Sequence, residues 1–174
     1  MSYPTLAVAN FLLDLARAKG VGDITPMKLQ KLVYYANGWN LGATGEPLIH
    51  EQVEAWRYGP VIETIYSAAK QYGNQPITAH LRNNTAIAFG HSDCPELSKS
   101  DKDAVRPLLN WILEQYGDLT GIQLSNLTHR EEEPWYKIYQ ERHGGSPPHG
   151  TDIDTDVIRA YFNAEVSKLE EPSA

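Results

Sequence analysis

The densest group of residues able to do chemistry is His129 followed by Glu131, Glu132 and Glu133, with His143 and His149 further along. An imidazole beside carboxylates could hold a divalent metal or exchange a proton with a substrate. Metal centres, however, need ligands at a spacing that a helix or tight turn brings together. The chain has no H-E-x-x-H and no Cys-x-x-Cys. The glutamates have a plainer use, because Pro134 suits the first position of a helix and carboxylates there complement the positive end of its dipole. Cys94, the sole cysteine, lies in a polar segment and reads as incidental rather than nucleophilic. The runs G-A-T-G and G-N-Q-P match neither phosphate-binding glycine pattern. No G-x-S-x-G elbow occurs, and spacing picks out no Ser–His–Asp set.

What remains is chemistry of recognition. Four tryptophans, Trp39, Trp56, Trp111 and Trp135, and ten tyrosines could form a ligand cage or an interface. Most fall on apolar faces and are expected in the core. Trp56 and Tyr58 are the better interface candidates, since they lie opposite Val53 in a possible edge strand, and such edges recruit partners. Arg57 between them could meet an acid group; a salt bridge within the fold is the simpler expectation.

These residues must be positioned by a mainly helical scaffold. Residues 4–19 read as a first helix, with Leu6, Ala9, Leu13 and Ala16 on one face and Gly20 and Gly22 beyond its end. Thr25 is a good N-cap and Pro26 a good first residue for a second helix. There Leu29, Leu32, Val33 and Ala36 recur at the helical period, while Lys28, Gln30 and Lys31 fall mostly off that face. Gly42 and Gly45 are placed to end it. Residues 52–58 read as a short strand stopped by Gly59-Pro60, with Pro60 opening a third helix that carries Val61, Ile65, Ala68 and Tyr72 and ends at Gly73. Residues 75–98 are the least regular part, a loop or weak hairpin in which residues 85–89 could be a strand. Ser100 with Asp103 and Thr120 with Gln123 both resemble capping boxes, the first opening a helix to Tyr116 that contains Pro107. Pro134 starts a short helix, residues 144–150 form a loop, and Asp154 or Thr155 caps a last helix with a frayed tail over residues 170–174. The fold class is therefore mainly α: one compact bundle of about six helices with a short strand or hairpin.

Composition narrows the function classes. A chain of 174 residues with 41% hydrophobic and 21% charged residues is most simply one domain with a real core. The net charge of −7 argues against a general nucleic-acid binder and favours a basic partner. It leaves room for a local basic patch at Lys28, Lys31 and Arg57. No disulfide is possible within the chain, which fits a reducing compartment and a cytoplasmic location. No apolar run approaches a membrane span, and the N-terminus lacks the basic region of a signal peptide.

Three motifs in order then resemble a known family. M-K-L-Q-K-L-V-Y-Y-A-N-G-W from Met27 to Trp39 is similar to the opening of the Panacea domain, also called the SocA-like or phage-associated GepA-like family. Pro47-Leu48, E-x-V-E-A-W-R-Y-G-P-V from Glu51 to Val61 and Ile65-Tyr66 follow. L-S-N-L-T-H-R-E-E-E-P-W from Leu124 to Trp135 resembles the family's second signature. The resemblance covers roughly residues 10–162, while residues 75–98 stand as an irregular insertion.

The resemblance implies a non-enzymatic antitoxin without cofactor or metal, which neutralises a cognate protein toxin by direct binding. Trp56, Arg57, Tyr58, His129 and Trp135 are the candidate contact residues. A proteolytic adaptor that hands a toxin to a protease, or a phage-encoded regulator of a host protein, is the alternative. A metal-dependent hydrolase built on His129, Glu131 and Glu132 stands behind it.

Overall fold

The structure, a computed structural model, describes residues 2–83 and 94–171. Among these are seven helices and one small hairpin. They are α1 (Thr5–Ala18), α2 (Pro26–Thr44), β1 (Glu54–Trp56), β2 (Gly59–Val61), α3 (Glu63–Ala69), α4 (Lys99–Tyr116), α5 (Gly121–Thr128), α6 (Pro134–Tyr136) and α7 (Thr155–Glu170). A 3-10 turn (Lys70–Tyr72) extends α3, and a π-helical stretch (Lys137–Arg142) extends α6. The expected strand at residues 85–89 lies outside the described residues.

The axis of the fold is α2. Its start is built as the sequence predicts, with Thr25 accepting a hydrogen bond from the Lys28 amide and Pro26 as first residue. The expectation of a solvent-facing side is overturned: every residue from 28 to 38 is buried, Lys28, Gln30 and Lys31 included. Helices α4, α5 and α7, the hairpin and α3 close around it, so α2 has no outer face. No surface basic patch forms from Lys28 and Lys31. Lys28 Nζ instead donates to Asp23 (2.9 Å) and to the Gly117 carbonyl (2.6 Å).

Helix α7 lies against α2 where α2 carries Gly38 and Gly42 instead of side chains. A Cβ on Gly42 would sit 2.5 Å from the backbone carbon of Phe162, and one on Gly38 would enter the Phe162 ring. Gly42 therefore does not end the helix; Gly45 caps it. The two glycines let Phe162 pack edge-on against Tyr34, Tyr35, Trp39 and Tyr161.

The chain pairs Glu54↔Val61, Ala55↔Pro60 and Trp56↔Gly59 in an antiparallel hairpin. Pro60 thus sits in a strand rather than opening α3, which begins at Glu63. Nor is β1 an open edge. The Ala55 amide donates to the Thr151 carbonyl (2.8 Å), and the Ile153 amide to the Val53 carbonyl (2.7 Å). Beyond β2, the Gln30 side chain clasps the Ile62 amide (2.9 Å) and carbonyl (3.0 Å) as a neighbouring strand would.

Capping follows the sequence at α5, where Thr120 and Gln123 form the reciprocal box. At α4 the cap is Ser98, two residues earlier than expected, accepting from the Asp101 amide. Asp154 occupies the cap position of α7 without a side-chain cap bond, and reaches Arg142 instead (2.9 Å). The irregular region before α4 is pinned by Asn10 of α1. Its Oδ1 accepts from the Leu81 amide (2.7 Å), and its Nδ2 donates to the Leu81 (3.0 Å) and Pro95 (3.3 Å) carbonyls. Asn10→Ala leaves the buried Leu81 amide without its acceptor and is expected to cost ~1–3 kcal/mol. Hydrogen exchange checks this, the Leu81 amide losing its protection first.

Candidate functional site

The hairpin turn is the most exposed aromatic point among the described residues, and its backbone is fixed from beneath. The Trp56 carbonyl accepts from Trp135 Nε1 (2.6 Å), the Tyr58 carbonyl from Ser125 Oγ (2.8 Å), and the Pro60 carbonyl from Lys31 Nζ (3.0 Å). Gly59 makes the turn possible. Its φ of 109° disfavours any side chain, and a Cβ there would lie 2.8 Å from Lys31 Nζ and 2.7 Å from Thr128 Oγ1.

The five residues singled out from sequence come together here in two layers. Trp56 is half-buried, donates Nε1–H to Glu54 (2.7 Å) and packs on Tyr66 and His149. Tyr58 is 61% exposed. Arg57 lies over the Tyr58 ring, 5.4 Å from its centroid. It makes no ion pair among the described residues, so the expected internal salt bridge is not formed. His129 and Trp135 form the lower layer, their ring centroids 3.9 Å apart. Trp135 is only 1% exposed and acts as a post under the hairpin. His129 presents Nδ1 to the Ser125 carbonyl and Nε2 to that of Arg57 (3.4 Å), so it is engaged with backbone. Among the described residues, no three His, Cys, Asp or Glu side chains are grouped to hold a metal ion.

Beside the turn opens a cavity of about 430 Å³, lined by Met27, Lys31, Trp56, Tyr58, Val61 and Tyr66 among others. Tyr66 is 44% exposed at its margin. Lys31 is the part that sequence reasoning missed, because a lysine on an amphipathic helix reads as solvent-facing. Unlike Lys28 it has no carboxylate beside it, and burial pulls its pKa down from 10.5 to about 7.

A second, smaller cavity of about 120 Å³ lies further along α2, between α2, α4, α5 and α7. Tyr35 and Tyr116 stack there with centroids 4.5 Å apart, and Trp39 donates Nε1–H to the Tyr116 hydroxyl (2.9 Å). Glu133 enters it from the start of α6. Far from being a solvated dipole partner, Glu133 is buried. Its Oε1 accepts from the Tyr161 (3.1 Å) and Tyr35 (3.3 Å) hydroxyls, while Oε2 is buried without a partner. Burial raises the carboxyl pKa to about 7 against the two hydroxyl bonds, which lower it. Burial and the nearby Glu133 charge hold the Tyr35 and Tyr161 phenols in the neutral, donating form. No described helix is long and apolar enough to cross a membrane.

Comparison with known proteins places this architecture. The chain is 30% identical over 129 residues to Antitoxin SocA of Caulobacter vibrioides (strain NA1000 / CB15N), a match covering 74% of this chain and 66% of that relative. No solved structure matches. The family model "Antitoxin SocA-like, Panacea domain" matches residues 29–136, a stretch that holds most of α2, the hairpin, α5 and the Glu133-Pro134-Trp135 turn. The chain belongs to the SocA-like, Panacea-domain family of antitoxins.

Proposed function

We propose that this protein neutralises a cognate protein toxin by binding it directly, with the hairpin turn as the contact. The observation that carries the reading is the pairing of exposed aromatics with a ready cavity: Tyr58 and Tyr66 stand beside about 430 Å³ of largely apolar space. Large aromatics and arginine on a rigid base are the residues that dominate binding energy in protein interfaces. Trp56, Arg57 and Tyr58 supply the contact, and His129 and Trp135 hold it in place. The name of the Caulobacter relative supports the antitoxin role. The turn is braced by helices α2, α5 and α6, so little ordering entropy opposes docking.

Co-expression with the product of the neighbouring reading frame tests this. The pair co-purifies and growth is rescued; absence of both a complex and rescue ends the proposal. Tyr58→Ala and Trp56→Ala should each weaken the isolated complex at least about tenfold, in line with aromatic hot spots. Both variants should keep the parent's thermal midpoint within a few degrees, since neither ring is fully buried.

A further inference from the structure

The cavity of about 430 Å³ beside the turn has a neighbour of about 230 Å³, lined by Tyr139, Pro147, Pro148 and His149 among others, and Trp56 and Arg57 wall both. The Trp56 ring packs on Tyr66 of the first wall and on His149 of the second. In a chain with 22 aspartates and glutamates, none among the described residues lines either cavity. Lys31 and Arg57 are the lining lysine and arginine. The Lys31 amine is committed to the Pro60 carbonyl (3.0 Å). Arg57 is exposed, lies over the Tyr58 ring and makes no ion pair among the described residues. Glu54, the acid that touches Trp56, stands outside both linings and accepts the indole N–H (2.7 Å). Resting on the reading of the hairpin as the toxin contact, we propose that the toxin segment seated there carries an acidic residue between two large apolar ones. The carboxylate pairs with Arg57, and the apolar side chains enter the two cavities.

Each part has a separate role in recognition. Burial of apolar side chains drives docking but is non-directional, so it sets no register. The guanidinium supplies the register, because its planar fork meets a carboxylate with two parallel hydrogen bonds. A cationic residue in the same place would face Arg57 as a like charge and find no described carboxylate in either lining. The net charge of −7 attracts a basic partner at long range. Exposed charges more than about 8 Å apart are screened at physiological salt, so the choice at the turn falls to Arg57. A toxin that is basic overall and acidic at this one point satisfies both fields. Two cavities that share an exposed arginine, with Tyr58 61% exposed beside it, suit a chain that spans them better than a small acid that fills one.

The test uses the full chain and the peptide Ser-Phe-Glu-Phe-Ser, acetylated and amidated so that glutamate is its sole charge. Counterparts carry glutamine or lysine at the centre. Binding is read from the Trp56 indole N–H and Arg57 Nε–H resonances. The glutamate peptide should shift both saturably and bind about fivefold more tightly than the glutamine peptide, the scale of a partly exposed ion pair. The lysine peptide should bind most weakly. Arg57→Gln should abolish the preference for glutamate over glutamine while both peptides still bind. Arg57→Glu should reverse the order, so that the lysine peptide binds best; a variant that had merely unfolded would lose all three alike. A lysine peptide that binds the parent as tightly as the glutamate peptide, or no saturable shift with any peptide, overturns the proposal. So does 3-phenylpropionate binding more tightly than the glutamate peptide, which makes the occupant a free apolar acid. Co-purification with the neighbouring gene product is measured separately. A complex that forms while the peptides fail removes the acidic anchor and leaves direct neutralisation standing.

Discussion

Unfolding free energy should pass through a trough near pH 7, a depth of several kcal/mol set by two buried groups, Lys31 on α2 and Glu133 beside Tyr35 one turn further along it. Lys31 has a folded pKa of about 7 against 10.5 for the free amine. Between those values the unfolded chain carries a proton that the folded one has released, so stability climbs as pH rises across that window. The penalty, on the order of 5 kcal/mol, is fully present below it. Glu133 works in the opposite sense. Its folded pKa is about 7 against 4.5. Between 4.5 and 7 the folded chain keeps a proton that the unfolded one has lost. Stability therefore falls as pH rises across that window, by an amount on the order of 3 kcal/mol, and the penalty is complete above it. The neutral amine and the neutral acid are never favoured together, and pH 7 is where both groups are strained. Urea midpoints followed by circular dichroism at pH 5, 7 and 9.5 measure the profile. Lys31→Met should flatten the alkaline limb and be more stable than the parent at pH 6; Glu133→Gln should flatten the acid limb. Three parallel curves would refute the assignment.

Gly42→Ala is the second large effect. One added methyl group would lie 2.5 Å from the Phe162 carbonyl carbon, 2.7 Å from its oxygen and 2.8 Å from the Asn163 nitrogen. All three are backbone atoms of α7, so no side chain can swing away. The helix must retreat, which also stretches the Asn163 Nδ2 bond to the Gly42 carbonyl (3.1 Å). Alanine's better helix propensity returns about 1 kcal/mol, while overpacking against rigid backbone costs ~3 kcal/mol or more. The net loss should be about 2 kcal/mol, seen as a lower urea midpoint and as retreat of α7 from α2. Gly38→Ala drives its methyl group into the buried Phe162 ring and should also destabilise. If Gly42→Ala proved neutral, the close packing of α2 on α7 would be wrong.

Local chemistry made much of the fold legible. Thr25-Pro26, Thr120 with Gln123, and Pro134 mark helix starts because their signals act within one turn of chain. The second strand was hidden because Pro60 normally ends a strand; here it occupies a position where no ladder donor is needed, with its carbonyl taken by Lys31. The burial of Lys28, Gln30 and Lys31 was hidden for a related reason. Their polar heads satisfy distant backbone, Gly117, Ile62 and Pro60 respectively, and periodicity carries no record of acceptors so remote in the chain. The candidate site was half legible. Trp56, Arg57 and Tyr58 stand out by type, and His129 and Trp135 join them in space. Glu133 looked like one of three equivalent acids until packing separated it from Glu131 and Glu132.

The bracing of the hairpin also decides what language an incoming molecule must speak. With residues 151–153 lying along β1 and the Gln30 amide occupying the flank of β2, no row of peptide groups is left to extend. A visiting polypeptide cannot gain affinity by adding itself as another strand, which would accept almost any sequence. In the contact proposed above, recognition falls instead to the rings of Tyr58 and Trp56 and the guanidinium of Arg57. Partner choice on such a surface can be rewritten one residue at a time while the scaffold beneath stays as it is.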